Sequence, residues 1–364
     1  MGIPQKRERR RAPGGTGLSL KSSAVSLFPI LCGGLLSAPA TADINIYGQF
    51  HAGLVSIDGS DERLRALSDE RDGSHLGVGA QREIVDGLTG IGRLELGFDL
   101  TDWDRDEDPI FIRQGWAGVQ TAYGTVLAGR VESAYRRAGG VRWDELSGTF
   151  LQQSGSGGMS GGQYGHDGFR SRHLEYRTPL FTGLQVVTQF SLDDRSEDEG
   201  DYTIGVNYVE DAWELTAAYA WNDSARSGEN RNLKFGVRYG VGEAGIGYQY
   251  EDVRIRDDDG TLYPHAVEDG EEGVDLVTDV TIDSDIRHHL LTLHQHYTTG
   301  TLWLAGGYLN ARDDDFSVRS YTIAWIRQFD AGLRWYLGYQ HQDRKRAYPD
   351  SRLNILATGV QLRF

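Results

Sequence analysis

The chain has 364 residues with 53 acidic and 37 basic side chains, a formal net charge of −16. That balance argues against nucleic acid as a partner, because phosphate binding needs a basic face. The 48 glycines, 18 tyrosines, 12 phenylalanines and 8 tryptophans recur at strand-like spacing, and no stretch reads as a long amphipathic helix, so the chain reads as all-β and undivided. Mean hydropathy is −0.47. No run of 18 apolar residues suggests a membrane helix, but this says nothing about strands, whose lipid-facing residues alternate with polar ones.

The amino-terminal 42 residues read as a secretory signal. Lys6, Arg7, Arg9, Arg10, Arg11 and Lys21 precede an apolar segment with Leu27, Phe28, Ile30, Leu31, Leu35 and Leu36, then Ala40-Thr41-Ala42. Cleavage after Ala42 removes six basic residues and one acid, Glu8, leaving 31 basic against 52 acidic residues and a mature charge of about −21. It also removes Cys32, the sole cysteine, so the exported chain is expected to have neither disulfides nor thiolate chemistry.

From Asp43 to Phe364, sixteen segments alternate or carry aromatic and β-branched residues: 43–57, 74–85, 88–100, 111–122, 124–132, 171–179, 184–192, 202–210, 213–221, 232–240, 243–254, 287–298, 301–310, 317–329, 332–342 and 352–364. Tight turns such as Asp86-Gly87, Phe181-Thr182-Gly183 and Thr299-Gly300 alternate with long connections, of which 133–170 is the longest. That short-long rhythm is expected of an up-and-down membrane barrel with turns at one end and loops at the other. Much of the acid falls in the long connections, as in Asp193-Asp194, Asp257-Asp258-Asp259, Glu268-Asp269-Gly270-Glu271-Glu272 and Asp313-Asp314-Asp315. These runs fit a solvated surface, a salt-adapted surface or divalent-cation binding, and the sequence does not separate them. No metal site or cofactor is assigned. In the last strand Leu356, Thr358, Val360, Leu362 and Phe364 share one face, and Gly359, Gln361 and Arg363 the other.

Several ordered motifs resemble the general diffusion porins of Gram-negative outer membranes. They are Tyr47-Gly48; Ser74-His75-Leu76-Gly77-Val78-Gly79; Gly87-Leu88; Glu95-Leu96-Gly97-Phe98-Asp99; Arg113-Gln114 with Trp116 and Gly118; Tyr123-Gly124-Thr125 leading to Gly129-Arg130; Tyr176-Arg177-Thr178-Pro179 with Phe181 and Gly183; and the terminal Phe364. The match is family-like to about residue 190, and beyond it only the strand rhythm and the carboxy-terminus carry it. The resemblance implies a transmembrane antiparallel sixteen-stranded β-barrel over 43–364, a homotrimer, and a third long loop (131–170) folded inward to narrow the pore. It also implies passage of ions and small hydrophilic solutes, an outer-membrane setting among lipid and lipopolysaccharide, and recognition of Phe364 by the assembly machinery.

Strand parity then assigns faces. Ile46, Phe50, Leu54, Leu76, Val78, Ala80, Leu94, Leu96, Phe98, Ile112 and Trp116 are expected to face lipid. Gln49, His51, His75, Arg93, Glu95, Asp99 and Arg113 then face the lumen. The resemblance implies a basic wall opposite acids on the inward loop. Arg113 matches the wall most securely, with Arg170 or Arg172 a further cation. His75 and Gln49 stand where the family commonly has arginine and lysine, and Asp144 and Glu145 are the loop acids. With two wall cations replaced and acidic loops at the mouth, cation preference is expected. Arg130 shares the outward parity of Val126 and Ala128, and the resemblance places it at the subunit interface opposite Asp106, Glu107 or Asp108 of a neighbour.

Beside an adhesin or structural barrel with a closed lumen, two further alternatives carry other functions. One is a substrate-specific outer-membrane channel, for which no aromatic slide or basic ladder is established in the sequence. The other is a barrel hydrolase using His173, His288, His289, His294 or His296, although neither G-x-S-x-G nor H-E-x-x-H occurs.

Overall fold

A computed structural model describes residues 42–58, 65–67, 74–100, 110–139, 142–154, 156–160, 168–192, 201–224, 228–256, 261–263, 280–282, 285–312, 316–329, 332–345 and 351–364. The signal segment, residues 106–108 including Glu107, and the acidic runs of the long connections lie outside these residues, as does part of the glycine-rich stretch 155–165.

Sixteen strands close into an antiparallel barrel. They are β1 Asp43–Ile57, β2 Ser74–Val85, β3 Leu88–Phe98, β4 Ile110–Thr121, β5 Gly124–Glu132, β6 Phe169–Arg177, β7 Leu184–Ser191 and β8 Asp201–Glu210. They continue with β9 Trp213–Ser224, β10 Gly228–Val241, β11 Ala244–Arg256, β12 Ile286–Tyr297, β13 Gly300–Ala311, β14 Ser317–Gln328, β15 Leu333–Lys345 and β16 Ser351–Arg363. Each of the sixteen expected segments forms one of them, with ends moved by a few residues. Tight turns join alternate pairs, and Gly87 (φ 75) and Asp211 (φ 50) take the left-handed backbone that such turns require. Two three-residue strands, Thr261–Tyr263 and Val280–Ile282, pair with each other in the connection between β11 and β12.

Closure runs through β1, which serves different partners along its length. Asp43 to Gln49 pair with β2, from Asp43↔Gln81 to Gln49↔His75. Gln49 to Ile57 pair with β16, from Gln49↔Arg363 to Ile57↔Ile355. Beyond the fork a short strand, Arg65–Leu67, lies along Gly53 to Val55. Phe364 and Gly48 exchange two backbone hydrogen bonds of 3.0 and 3.2 Å, completing the seam. Closure leaves no backbone edge to be satisfied by lipid.

The two faces separate as parity requires. Leu215, Leu233, Phe235, Ile246, Leu291, Leu293, Ile323, Leu337, Leu356 and Val360 form an exposed apolar band, while Gln49, His51, Glu175, Gln189, Lys234, Gln249 and Gln340 are buried on the opposite face. Such a band suits the hydrocarbon of a bilayer.

After β5 the chain makes a single helical turn, α1 Ala134–Arg137, whose cap Ser133 accepts a hydrogen bond from the Tyr135 amide at 3.1 Å. The following segment reaches inward-facing side chains on widely separated strands. The Ala134 amide donates to Gln189 Oε1 of β7 (2.8 Å), the Ser160 amide to Glu251 Oε2 of β11 (3.2 Å) and Gln153 Nε2 to Thr322 Oγ1 of β14 (3.0 Å). Gln340 Nε2 of β15 donates to the Leu151 carbonyl at 3.2 Å. Leu146, Leu151 and Met159 join Leu290, Trp303, Ala305, Ala324, Ile326 and Tyr336 in one apolar core. This core lies on the inward face of β12 to β16 and extends to Val55 and Ile57 of β1, where a barrel with only water inside would carry polar groups.

Candidate functional site: the charged wall of the lumen

Two charged clusters lie on another sector, formed by β3 to β6 and α1. Glu95, only 2 % exposed, is the hub of the first cluster. Tyr47 Oη donates to its Oε2 at 2.9 Å, Gln114 Nε2 to its Oε1 at 3.4 Å, and Arg113 forms an ion pair with it. The geometry depends on a β-bulge. Glu95 faces Gln114 and Leu96 faces Ile112, so Arg113 is the extra residue between them. A one-residue insertion changes the face of everything beyond it. Ile112 therefore stays outward, whereas Trp116 turns into the lumen opposite Arg93, and the expectation that Trp116 faces lipid is corrected. Trp116 Nε1 donates to Gln114 Oε1 at 3.3 Å. Arg93 lies 5.2 Å from the Tyr47 ring and 5.5 Å from that of Trp116, which Arg177 approaches at 5.9 Å. Flat guanidinium groups on aromatic faces are held by the ring quadrupole.

Glu175 organises the second cluster. It is fully buried and receives Arg137 Nη2 at 2.6 Å, together with Arg177 and Gln189. Arg136 pairs with Glu132 at 3.1 Å, and its guanidinium lies 5.5 Å from the Phe169 ring, which Arg113 also covers at 4.7 Å. Two of these cations thus come from α1, at the root of the loop expected to carry acids. Glu95 and Glu175 lie beneath their arginines, whereas Glu132, 30 % exposed, is more accessible than its partner Arg136 at 11 %.

Gln49 and His75 are cross-strand neighbours, and Gln49 Oε1 accepts from Arg363 Nε at 2.7 Å. Arg170 has inward parity and pairs with Asp201, whereas Arg172 is exposed at an irregularity between β5 and β6 with φ 56. Asp144 turns into its own loop. Its two oxygens accept the amides of Leu146 (3.0 Å) and Gln153 (2.6 Å), and it is 5 % exposed, so it presents no charge to a passing solute. Burial pushes its carboxyl up to about 7 despite those two donors. Glu145 lies beside it, 3.6 Å from Arg334 of β15. Arg130 donates to the Arg113 carbonyl at 3.1 Å and to Ser171 Oγ at 2.9 Å, within its own chain.

Of the candidate histidines, only His294 and His296 lie together, 4.9 Å apart between ring centroids. His173 is buried facing inward with Nδ1 2.8 Å from the Ser171 carbonyl, and His288 lies 3.3 Å from the Gly157 carbonyl. His289 points outward, 2.8 Å from Tyr248 Oη. Among the described residues no cluster of three or more histidine, cysteine or acidic side chains could hold a metal ion.

The family model of the Gram-negative porins matches residues 28–347. No curated protein sequence matches the chain significantly. Similar solved structures include an anion-selective porin from Comamonas acidovorans, 13 % identical, with TM-score 0.72 over 89 % of this chain and 100 % of that one. OmpT of Vibrio cholerae, an outer membrane protein in its trimer form, is 16 % identical, with TM-score 0.65 over 89 % and 99 %. OmpF of Salmonella typhi in complex with daunomycin is 14 % identical, with TM-score 0.67 over 88 % and 97 %. At these identities the likeness is one of fold.

Proposed function

We propose that this chain, which belongs to the Gram-negative porin family, is a general diffusion channel that passes ions and small hydrophilic solutes passively. Family and barrel together make it an outer-membrane channel. The observation that carries the finer reading is the distribution of material inside the barrel. Leu146, Leu151 and Met159 pack with apolar residues of β12 to β16 and β1, while paired charges stand on β3 to β6 and α1. Solutes would pass along the charged sector, with the loop 131–170 as the constriction.

The selectivity we propose differs from the sequence expectation. That expectation rested on Gln49 and His75 replacing wall cations and on the acidic loops at the mouth, but Arg136, Arg137 and Arg177 stand on the same wall against two carboxylates, Glu132 and Glu175. A narrow, low-dielectric constriction focuses the field of its own lining more strongly than that of distant loops. The channel should therefore prefer small anions. Reversal potentials across a planar bilayer in a KCl gradient test this, and cation selectivity would overturn it. Ohmic, unsaturated conductance with graded solutes supports general diffusion, whereas saturation by one solute would replace it with a specific channel.

The mature chain is proposed to begin at Asp43 after signal cleavage, and to assemble as a homotrimer in lipid and lipopolysaccharide with Phe364 as its assembly tag. The outward position of Arg130 supports an interface role. Arg130→Ala should weaken the trimer on native electrophoresis, and an unchanged trimer would count against that role.

A further inference from the structure

Two histidines stand on the inward face of β12 where it nears its tight turn into β13. His294 and His296 share the parity of His288, Leu290 and Thr292, which are buried inside the barrel. Water reaches both, since His294 is half-buried and His296 exposed. Their ring centroids are 4.9 Å apart, with the planes inclined by 52°. The neighbouring strands position each ring. His294 faces Gly245 of β11 in the ladder, and its ring lies across that glycine, where a Cβ would meet its Cε1 and come 2.7 Å from its Nε2. His296 faces Thr301 of β13, whose Oγ1 is 2.7 Å from its Nδ1. The Glu243 carbonyl accepts the His296 amide at 2.7 Å, which sets an exposed acidic residue beside the pair. Besides His296, the charged side chains that reach His294 are Arg238 and Glu145, one of each sign.

With its proton on Nδ1 and donated to Thr301, His296 keeps a free lone pair on Nε2, and an imidazole held from behind in this way is oriented as a metal ligand is. Neither nitrogen of His294 has a protein partner among the described residues. The spacing of the rings also fits a shared ion. A metal bound at about 2.0–2.1 Å lies about 3.2 Å from the ring centroid, so two imidazoles at roughly 90–109° around one ion have centroids about 4.5–5.2 Å apart. The observed 4.9 Å falls inside that range. Imidazole suits zinc, copper and nickel, whereas magnesium and calcium take oxygen ligands. Two protein ligands leave the other positions to water, so the ion would exchange, unlike one in a closed structural site.

We propose that His294 and His296 form a lumen-facing site for one divalent metal ion of the zinc class. The inference rests on the barrel fold and is independent of the channel's selectivity. The test titrates Zn2+ into the untagged full barrel in neutral detergent, with excess Mg2+ present to occupy carboxylates, and reads the heat by isothermal calorimetry. One ion should bind per chain. Gly245→Ala, which keeps both imidazoles and displaces one, should weaken binding about tenfold, as loss of a supporting group does. His294→Asn and His296→Asn should each weaken it further. His341→Asn removes an outward histidine that lies 2.8 Å from Asn354 Oδ1, and should bind as the parent does. Heat-modifiable electrophoresis identifies the assembled barrels, and His294→Gln and His296→Gln serve where an asparagine variant does not assemble. Unchanged binding in Gly245→Ala or in either histidine variant, an equal loss in His341→Asn, or abolition of the zinc heat by Mg2+ overturns the proposal. A barrel that binds zinc through this pair but passes no current would instead remove the channel reading and leave the site standing.

Discussion

At the residue scale the charged wall depends on carboxylates that solvent scarcely reaches. Glu95 receives Tyr47, Arg113 and Gln114 at once, so removing it leaves a nearly buried guanidinium without its counter-ion. Glu95→Ala should therefore destabilise the barrel by about 3–5 kcal/mol in urea unfolding. Glu95→Gln, which removes the charge alone, should shift the reversal potential further toward anions. Asp144 makes a different, pH-dependent contribution. Its carboxyl is raised to about 7 from an ordinary value of 3.8, so the folded protein holds a proton that the unfolded chain releases. The stabilisation is complete below about pH 4 and is lost as pH rises toward 7, by at most about 4 kcal/mol. Unfolding midpoints measured between pH 4 and pH 8 should fall with pH in the parent, and this slope should vanish in Asp144→Asn. A slope retained in the variant would assign it to another group.

At the scale of elements, the β4 bulge separates what parity could read from what it could not. Strict alternation placed Gln49, His75, Glu95 and Arg93 on the lumen face, because nothing interrupts β1, β2 and β3 at those positions. It failed at Trp116 because one inserted residue, Arg113, carries no marker in the sequence and inverts the face beyond it. Brominated lipids should therefore quench the fluorescence contributed by Trp116 no more than water does. Trp116→Phe should leave the lipid-quenchable fraction undiminished, and a clear drop would return the ring to the lipid face. The apolar plug had a legible signal that alternation alone overlooks. In β12 to β14, Leu290-Leu291, Leu302-Trp303-Leu304 and Ala324-Trp325-Ile326 are apolar on consecutive residues, the pattern of strands covered on both faces. By contrast, the arginines of α1 follow a strand end, where period-two reasoning stops applying.

For the whole molecule, sixteen strands and their order were legible because each is short, regular and bounded by turn chemistry, and because turns and loops alternate. Where the segment after β5 packs was not, since its contacts come from side chains on five or more strands. Phe364 stands at the junction of these scales. Its backbone bonds to Gly48 and its ring lies 5.5 Å from that of Phe50. Deleting it should lower the yield of assembled barrel while leaving the conductance of assembled channels unchanged, as measured by heat-modifiable electrophoresis and bilayer recording. The fork in β1 also sets the timing of folding. The Arg363–Gln49 contact joins residues 314 apart, and loop closure over that length costs about 5 kcal/mol of chain entropy before the seam bonds begin to offset it. Until the final strand arrives, β1 beyond Gln49 waits with an unmet row of amides and carbonyls inside or beside a bilayer. The rate-limiting event is therefore expected at the last strand rather than the first, and a chain truncated by even one strand would be left as an open, self-associating sheet.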